Sequence, residues 1–162
     1  RTRRTRCGSS ARTRGQVAPC SAPSPLRAMS AIKGKVLKAS GLKNADLWGK
    51  SDPYVRVTLE APGGEVAGEA KTATKTDDLN PVWEDEPFNF AHPGDDFLDM
   101  MMRFKVMDTG LGPDVELGEA LVPVKLVPQM GEDAAPTPFT FSLGIKHKKS
   151  MGTLDVLVGI VP

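Results

Sequence analysis

The strongest constraint in this chain is a period of two. From residue 32 onward, apolar and polar side chains alternate in short stretches broken by Gly, Pro, Asn and Asp. Such a stretch turns one face to a core and the other to water, as a half-buried strand does. Residues 32–39 place Ile32, Gly34 and Val36 on one face, and residues 54–59 set Val55, Val57 and Leu59 against Tyr54, Arg56 and Thr58. Residues 98–107 set Leu98, Met100, Met102, Phe104 and Val106 against Asp99, Met101, Arg103, Lys105 and Met107. Met100 and Met102 then read as adaptable core filler. Residues 87–91 carry Phe88 and Phe90 on one face, and residues 118–124, 138–143 and 153–161 complete the clear set. Residues 69–76 read as a solvated strand with Lys71 and Lys75 on one side. Trp83, after Asn80-Pro81-Val82, is expected to begin a strand and enter the core. No segment holds a helical period for twelve residues, although residues 125–130 have room for one turn. The expected fold is all-β, an eight-stranded antiparallel Greek-key β-sandwich.

Charge divides the chain into two unequal parts. Residues 1–28 hold seven Arg and no acid, whereas the other 134 residues carry a net charge of −6. The overall +1 therefore hides an acidic folded part, and nucleic-acid binding is not expected of it. Residues 1–28 contain Val17 and Leu26 as their only large aliphatic side chains, too few to offset the entropy of ordering. They read as a disordered basic leader, with residues 29–162 as the folded domain. Three origins fit that composition: translated leader sequence ahead of Met29, an organelle transit peptide, or a basic arm for lipid or nucleic acid. Both cysteines, Cys7 and Cys20, lie in this segment, so the folded part has no disulfide or thiolate metal site, in keeping with a reducing compartment. No apolar run approaches the roughly 18–20 residues that a bilayer-crossing helix needs.

Three loops are unusually acidic. The first, residues 44–53, sets Asp46 and Asp52 around Leu47-Trp48-Gly49. The second runs Thr76-Asp77-Asp78-Leu79-Asn80-Pro81, and the third, residues 108–116, contains Asp108, Asp114 and Glu116. Turns favour Asp in any case. Convergence of the first and third loops would instead crowd carboxylates that repel one another without a cation, and flexible oxygen-rich loops suit Ca²⁺. Composition leaves both readings open.

The strings Ser51-Asp52-Pro53-Tyr54-Val55, Leu79-Asn80-Pro81-Val82-Trp83-Glu84, Val106-Met107-Asp108 and Leu117-Gly118-Glu119, in that order, resemble a C2 domain. The resemblance runs from about residue 31 to 161. Its extra carboxyl-terminal strand is similar to the permuted, type II form found in small single-domain plant elicitor-responsive proteins. It implies a calcium-dependent phospholipid-binding module, with the first-loop ligands on Asp46 and Asp52 and the first ligand of the third loop on Asp108. There the correspondence weakens. The family's next Asp is Gly110 here, and the last acidic position falls on Val115, with Asp114 beside it and Glu116 a poorer substitute. Asp77 or Asn80 would add a further oxygen. The resemblance thus implies one weakly held Ca²⁺, or none below roughly 10⁻⁵ M without lipid.

The expected mode of action follows. A cation cancels the repulsion between the acidic loops and an anionic membrane, and Leu47, Trp48 and Leu111 at the loop tips insert into it. Arg56, Lys71 and Lys75 form a candidate surface for lipid headgroups, and Lys146, Lys148 and Lys149 around His147 form a looser basic cluster. The alternative is a calcium-independent C2-like adaptor that binds a protein or a phosphoinositide. Catalysis is not expected: His92 and His147 are the only histidines, and no nucleophile-elbow, P-loop or zinc-protease motif occurs. The expected partner is an anionic phospholipid membrane, with room for a protein partner besides. The chain is expected to be monomeric, cytoplasmic and peripheral to membranes, with organelle targeting if residues 1–28 are a transit peptide.

Overall fold

Alternation in the sequence becomes alternation in burial. In β1 (Ser30–Ser40), Ile32, Gly34 and Val36 turn inward while Lys33 and Lys38 face water. The computed structural model describes residues 30–92, 94, 96–110, 112–130, 136–144 and 152–161. The basic leader, Leu111 and the Lys146–Lys148–Lys149 cluster lie outside the described residues. The remaining strands are β2 (Pro53–Glu60), β3 (Val66–Lys71), β4 (Val82–His92), β5 (Met101–Asp108), β6 (Val115–Pro123), β7 (Thr137–Ser142) and β8 (Thr153–Val161). They form two four-stranded sheets, β4-β1-β8-β7 and β3-β2-β5-β6, in which the paired strands are antiparallel. This is the expected sandwich, and β8 lies directly beside β1 as the permuted topology requires.

The inner faces meet in one core. Val55, Val57 and Leu59 of β2 and Met102, Phe104 and Val106 of β5 pack against Ile32 and Val36 of β1 and Leu154, Val156 and Val158 of β8. Met100 and Met102 are both fully buried, as filler should be. Trp83 is 1% exposed, and its indole N–H donates to the Ala73 carbonyl at 2.7 Å. Gly34 is required by packing, since a Cβ there would collide with the Leu157 carbonyl and the Phe88 ring.

Several boundaries differ from expectation, each for a local reason. β3 ends at Lys71 rather than running to residue 76, because the Thr72 hydroxyl replaces a ladder carbonyl as acceptor for the Val55 N–H at 2.9 Å. Lys75 consequently leaves the side it was expected to share with Lys71 and lines a hollow with Trp83, Glu84 and Glu86. Leu98 is 46% exposed, because a 3₁₀ turn over Phe97–Asp99 precedes β5 and sends Phe97 into the core instead. β4 and β6 start earlier than their apolar alternation suggested, at Val82 and Val115. The single turn expected within residues 125–130 is a 3₁₀ turn at Val124–Leu126. Among the described residues, no helix is long and apolar enough to cross a membrane.

Candidate functional site: the acidic loop end

The β1–β2, β3–β4 and β5–β6 connections all emerge at one end of the sandwich. Register fixes this: Lys38 pairs with Val82, Pro53 with Asp108, and Asp108 with Val115. The first and third acidic loops therefore meet. Asp108, only 2% exposed at the end of β5, accepts a hydrogen bond from the Asp52 N–H at 2.6 Å. Thr109 donates both its N–H and its hydroxyl to the Asp52 carbonyl, at 3.2 and 3.1 Å. The second loop joins from the other side: the Asp77 N–H donates to Asp52 Oδ1 at 2.7 Å, and Asp77 Oδ1 accepts from the Lys50 N–H at 2.5 Å. Asp77 sits at φ 56°, a left-handed conformation that Asp tolerates.

A small polar network shapes the first loop. Ser51, fully buried, accepts from the Ala45 N–H at 2.9 Å and donates to Asn44 Oδ1 at 3.3 Å. Asn44 in turn donates to the Gly49 carbonyl at 2.8 Å. The residues between are thereby pinched outward, leaving Leu47 and Trp48 96% and 93% exposed. Both line an open hollow together with Asp46, Asp52, Thr109 and Gly110.

The electrostatics show convergence of charge. Partial loss of water, and then the negative charges of Asp108 and Asp52, push the Asp46 carboxyl above its ordinary range. A Cβ on Gly110 would stand 3.9 Å from Asp46 Oδ1, so the third loop passes directly over this carboxylate. The donors are all hard oxygens, the chemistry that Ca²⁺ prefers. As placed, Asp52 and Asp108 each spend one oxygen on a backbone N–H. Among the described residues, no group of three or more His, Cys, Asp or Glu side chains is already arranged to hold a metal ion. The residues fit Ca²⁺ in kind.

The sequence profile of the C2 domain matches residues 30–138. The chain belongs to the C2-domain family. Rattus norvegicus E3 ubiquitin-protein ligase NEDD4 is 33% identical over 120 residues, which is 74% of this chain and 13% of that protein. Arabidopsis thaliana synaptotagmin-2 is 52% identical over 52 residues, 32% of this chain and 9% of that protein. The chain thus spans only a small part of these curated relatives. Among solved structures, a C2 domain of plant extended synaptotagmin 1 superposes with a TM-score of 0.69 at 28% identity, covering 82% of this chain and 95% of that one.

The C2 loops bring together Asp46, Asp52 and Asp108. Asp114 faces another way, accepting a hydrogen bond from the Tyr54 hydroxyl at 2.6 Å. Glu116 lies within β6 and pairs with Lys105 at 3.2 Å, because the strand begins one residue before it and carries it onto the sheet face. Val115 is likewise a strand residue, 51% exposed. In the second loop, Asn80 Oδ1 is engaged by the Gly41 N–H at 2.8 Å.

The expected headgroup residues are divided. Arg56 and Lys71 are cross-strand partners on the outer face of the β3-β2-β5-β6 sheet, whereas Lys75 lies elsewhere. Arg56 is 3.3 Å from Glu69, and the Lys71 ammonium lies 3.6 Å from the centre of the Tyr54 ring. Beside them, Arg103 forks onto both oxygens of Glu60 at 2.7 and 3.0 Å and reaches Glu119 at 2.8 Å. These hydrogen bonds hold the Glu60 carboxyl below its usual range. The cations of this face stand largely against carboxylates. The Tyr54 contact was not legible in the sequence, since nothing in a local motif shows its hydroxyl meeting an acid sixty positions away.

Proposed function

We propose that this C2 domain is a calcium-dependent phospholipid-binding module that docks on anionic membranes through its acidic loop end. The observation carrying this reading is the juxtaposition of the Asp46, Asp52 and Asp108 carboxylates with two large apolar side chains, Leu47 and Trp48, left almost wholly in water. An apolar pair at a loop tip is costly unless it is buried on docking. Asp46, Asp52 and Asp108 would hold Ca²⁺, with Asp77 closing the second loop beside them. The bound ion would cancel the local negative charge and offer open coordination positions to phosphate oxygens. Leu47 and Trp48 enter the interface, and Leu111 is proposed to join them from the third loop. Such docking makes the chain a peripheral, cytoplasm-facing membrane protein. Arg56 and Lys71, already engaged by Glu69 and the Tyr54 ring, serve as a weaker second contact.

Cosedimentation of the full chain with phosphatidylserine–phosphatidylcholine vesicles, in calcium and in chelator, tests this. The expected result is pelleting in calcium alone. Equal pelleting in both would favour the calcium-independent adaptor, a reading supported by Gly110 in place of a carboxylate and by Asp114 turned onto Tyr54.

A further inference from the structure

We propose that Tyr54 is a latch that withholds Asp114 from the acidic loop group, and that its release sets the cation affinity of this end. The inference rests on the calcium reading above and deepens it by naming what regulates the site. Asp114 lies immediately before Val115, the residue paired with Asp108 across β5 and β6. The chain therefore returns beside the end of β5, where Asp108 sits, one residue after Asp114. The Asp114 side chain instead turns along the sheet to Tyr54 on β2.

The contact is strong for its kind. At 2.6 Å, the hydroxyl-to-carboxylate distance lies in the short range of charge-assisted O–H···O⁻ bonds. The phenol is well fixed, because Tyr54 is fully buried as a residue and the Lys71 ammonium sits 3.6 Å over its ring. Asp114 and its loop neighbours Gly112 and Pro113 are exposed, so the loop side of the latch is the side open to solvent. The phenol hydroxyl is the donor and the Asp114 carboxylate the acceptor.

The consequence is a cation affinity set by competition. Recruiting Asp114 as a further ligand means first breaking a hydrogen bond to a charged group, which lowers affinity by about tenfold or more relative to a free carboxylate. Removing the hydroxyl removes that competition.

The test uses isothermal titration of the full chain with CaCl₂, comparing wild type, Tyr54→Phe, Asp114→Ala and the double variant. Tyr54→Phe is expected to tighten binding by about tenfold, and the same substitution in the Asp114→Ala background is expected to change nothing. Damage to the fold would weaken binding, so a gain that depends on Asp114 is not a structural side effect. If wild type binds and a folded Tyr54→Phe binds equally or less tightly, the latch is overturned and the calcium reading survives. If wild type is silent at millimolar calcium and Tyr54→Phe binds, the latch stands and the native calcium switch does not. Silence from both overturns both. A second measurement needs no substitution at Tyr54: it is the only tyrosine, so 3-fluorotyrosine labelling gives one ¹⁹F resonance. That resonance is expected to move on calcium addition in wild type and to stay fixed in Asp114→Ala. A stationary wild-type resonance at saturating calcium would overturn the proposal.

Discussion

Trp48→Ala separates docking from cation binding. At 93% exposure the indole makes almost no packing contact, so its removal should leave the melting temperature within about a degree. Nor does Trp48 supply a ligand oxygen, so calcium affinity in solution should stay unchanged. The loss should appear only on vesicles. A Trp side chain offers roughly 200 Å² of surface, and burying half of it at an interface yields about 2.5 kcal/mol at 25 cal/mol per Å². Vesicle partitioning should therefore weaken by about fiftyfold to a hundredfold. The chain also carries its own reporter. It has two tryptophans, of which Trp83 is 1% exposed and already hydrogen-bonded inside. A blue shift of emission on adding calcium and anionic vesicles therefore belongs to Trp48, and brominated lipid should quench it. If Trp48→Ala pellets as wild type does, or if the emission stays still while the protein pellets, the insertion argument fails. Equal losses of vesicle binding and of solution calcium affinity would also count against it.

Gly110→Asp sets a fourth carboxylate against Asp46 without a left-handed φ to resist it, and should tighten calcium binding by roughly tenfold while lowering the melting temperature in chelator; calorimetry and thermal melts read the two effects. Gly34→Ala should cost about 3 kcal/mol or more in urea denaturation, because the obstructing Leu157 carbonyl is backbone and cannot swing aside. Arg103→Ala should cost about 2 kcal/mol at neutral pH, by leaving Glu60 and Glu119 without the guanidinium they share. Since Glu60 is held below its ordinary value, the stabilisation it provides is complete above the unfolded glutamate pKa of about 4.3 and is lost as pH falls through the folded value. Urea melts of wild type and Arg103→Ala should therefore converge in acid, and a gap that persists below pH 3 would assign the cost to lost packing instead.

The sequence carried the sandwich because burial with a period of two is a local property. Ile32, Gly34 and Val36, or Val55, Val57 and Leu59, announce their inner face without reference to any partner. The acidic end was partly legible for a similar reason: Asp52 lies beside the Pro53 that opens β2, and Asp108 closes β5, so strand ends located both. What escaped depended on competition or on distance. A single hydroxyl, that of Thr72, ended β3 and sent Lys75 away from Lys71. A turn closed by the Met100 N–H onto the Phe97 carbonyl exchanged Leu98 for Phe97 in the core. Glu116 could be placed in the loop or on the sheet until the start of β6 was known, and only the pairing with Lys105 decided it. The charge balance of the outer sheet face was equally hidden, because Glu60, Arg103 and Glu119 come from three strands and meet only through register.

The position of β8 has a consequence for biosynthesis. It is not an edge strand: it lies between β1, among the earliest residues of the fold, and β7. Until residues 153–161 have left the ribosome, β1 keeps an unsatisfied ladder and the core lacks Leu154, Val156 and Val158. A nascent chain halted before this point would expose a sticky seam through the middle of one sheet, the kind of surface that chaperones capture. The domain should therefore close late and all at once, by insertion of a keystone rather than by growth from one end.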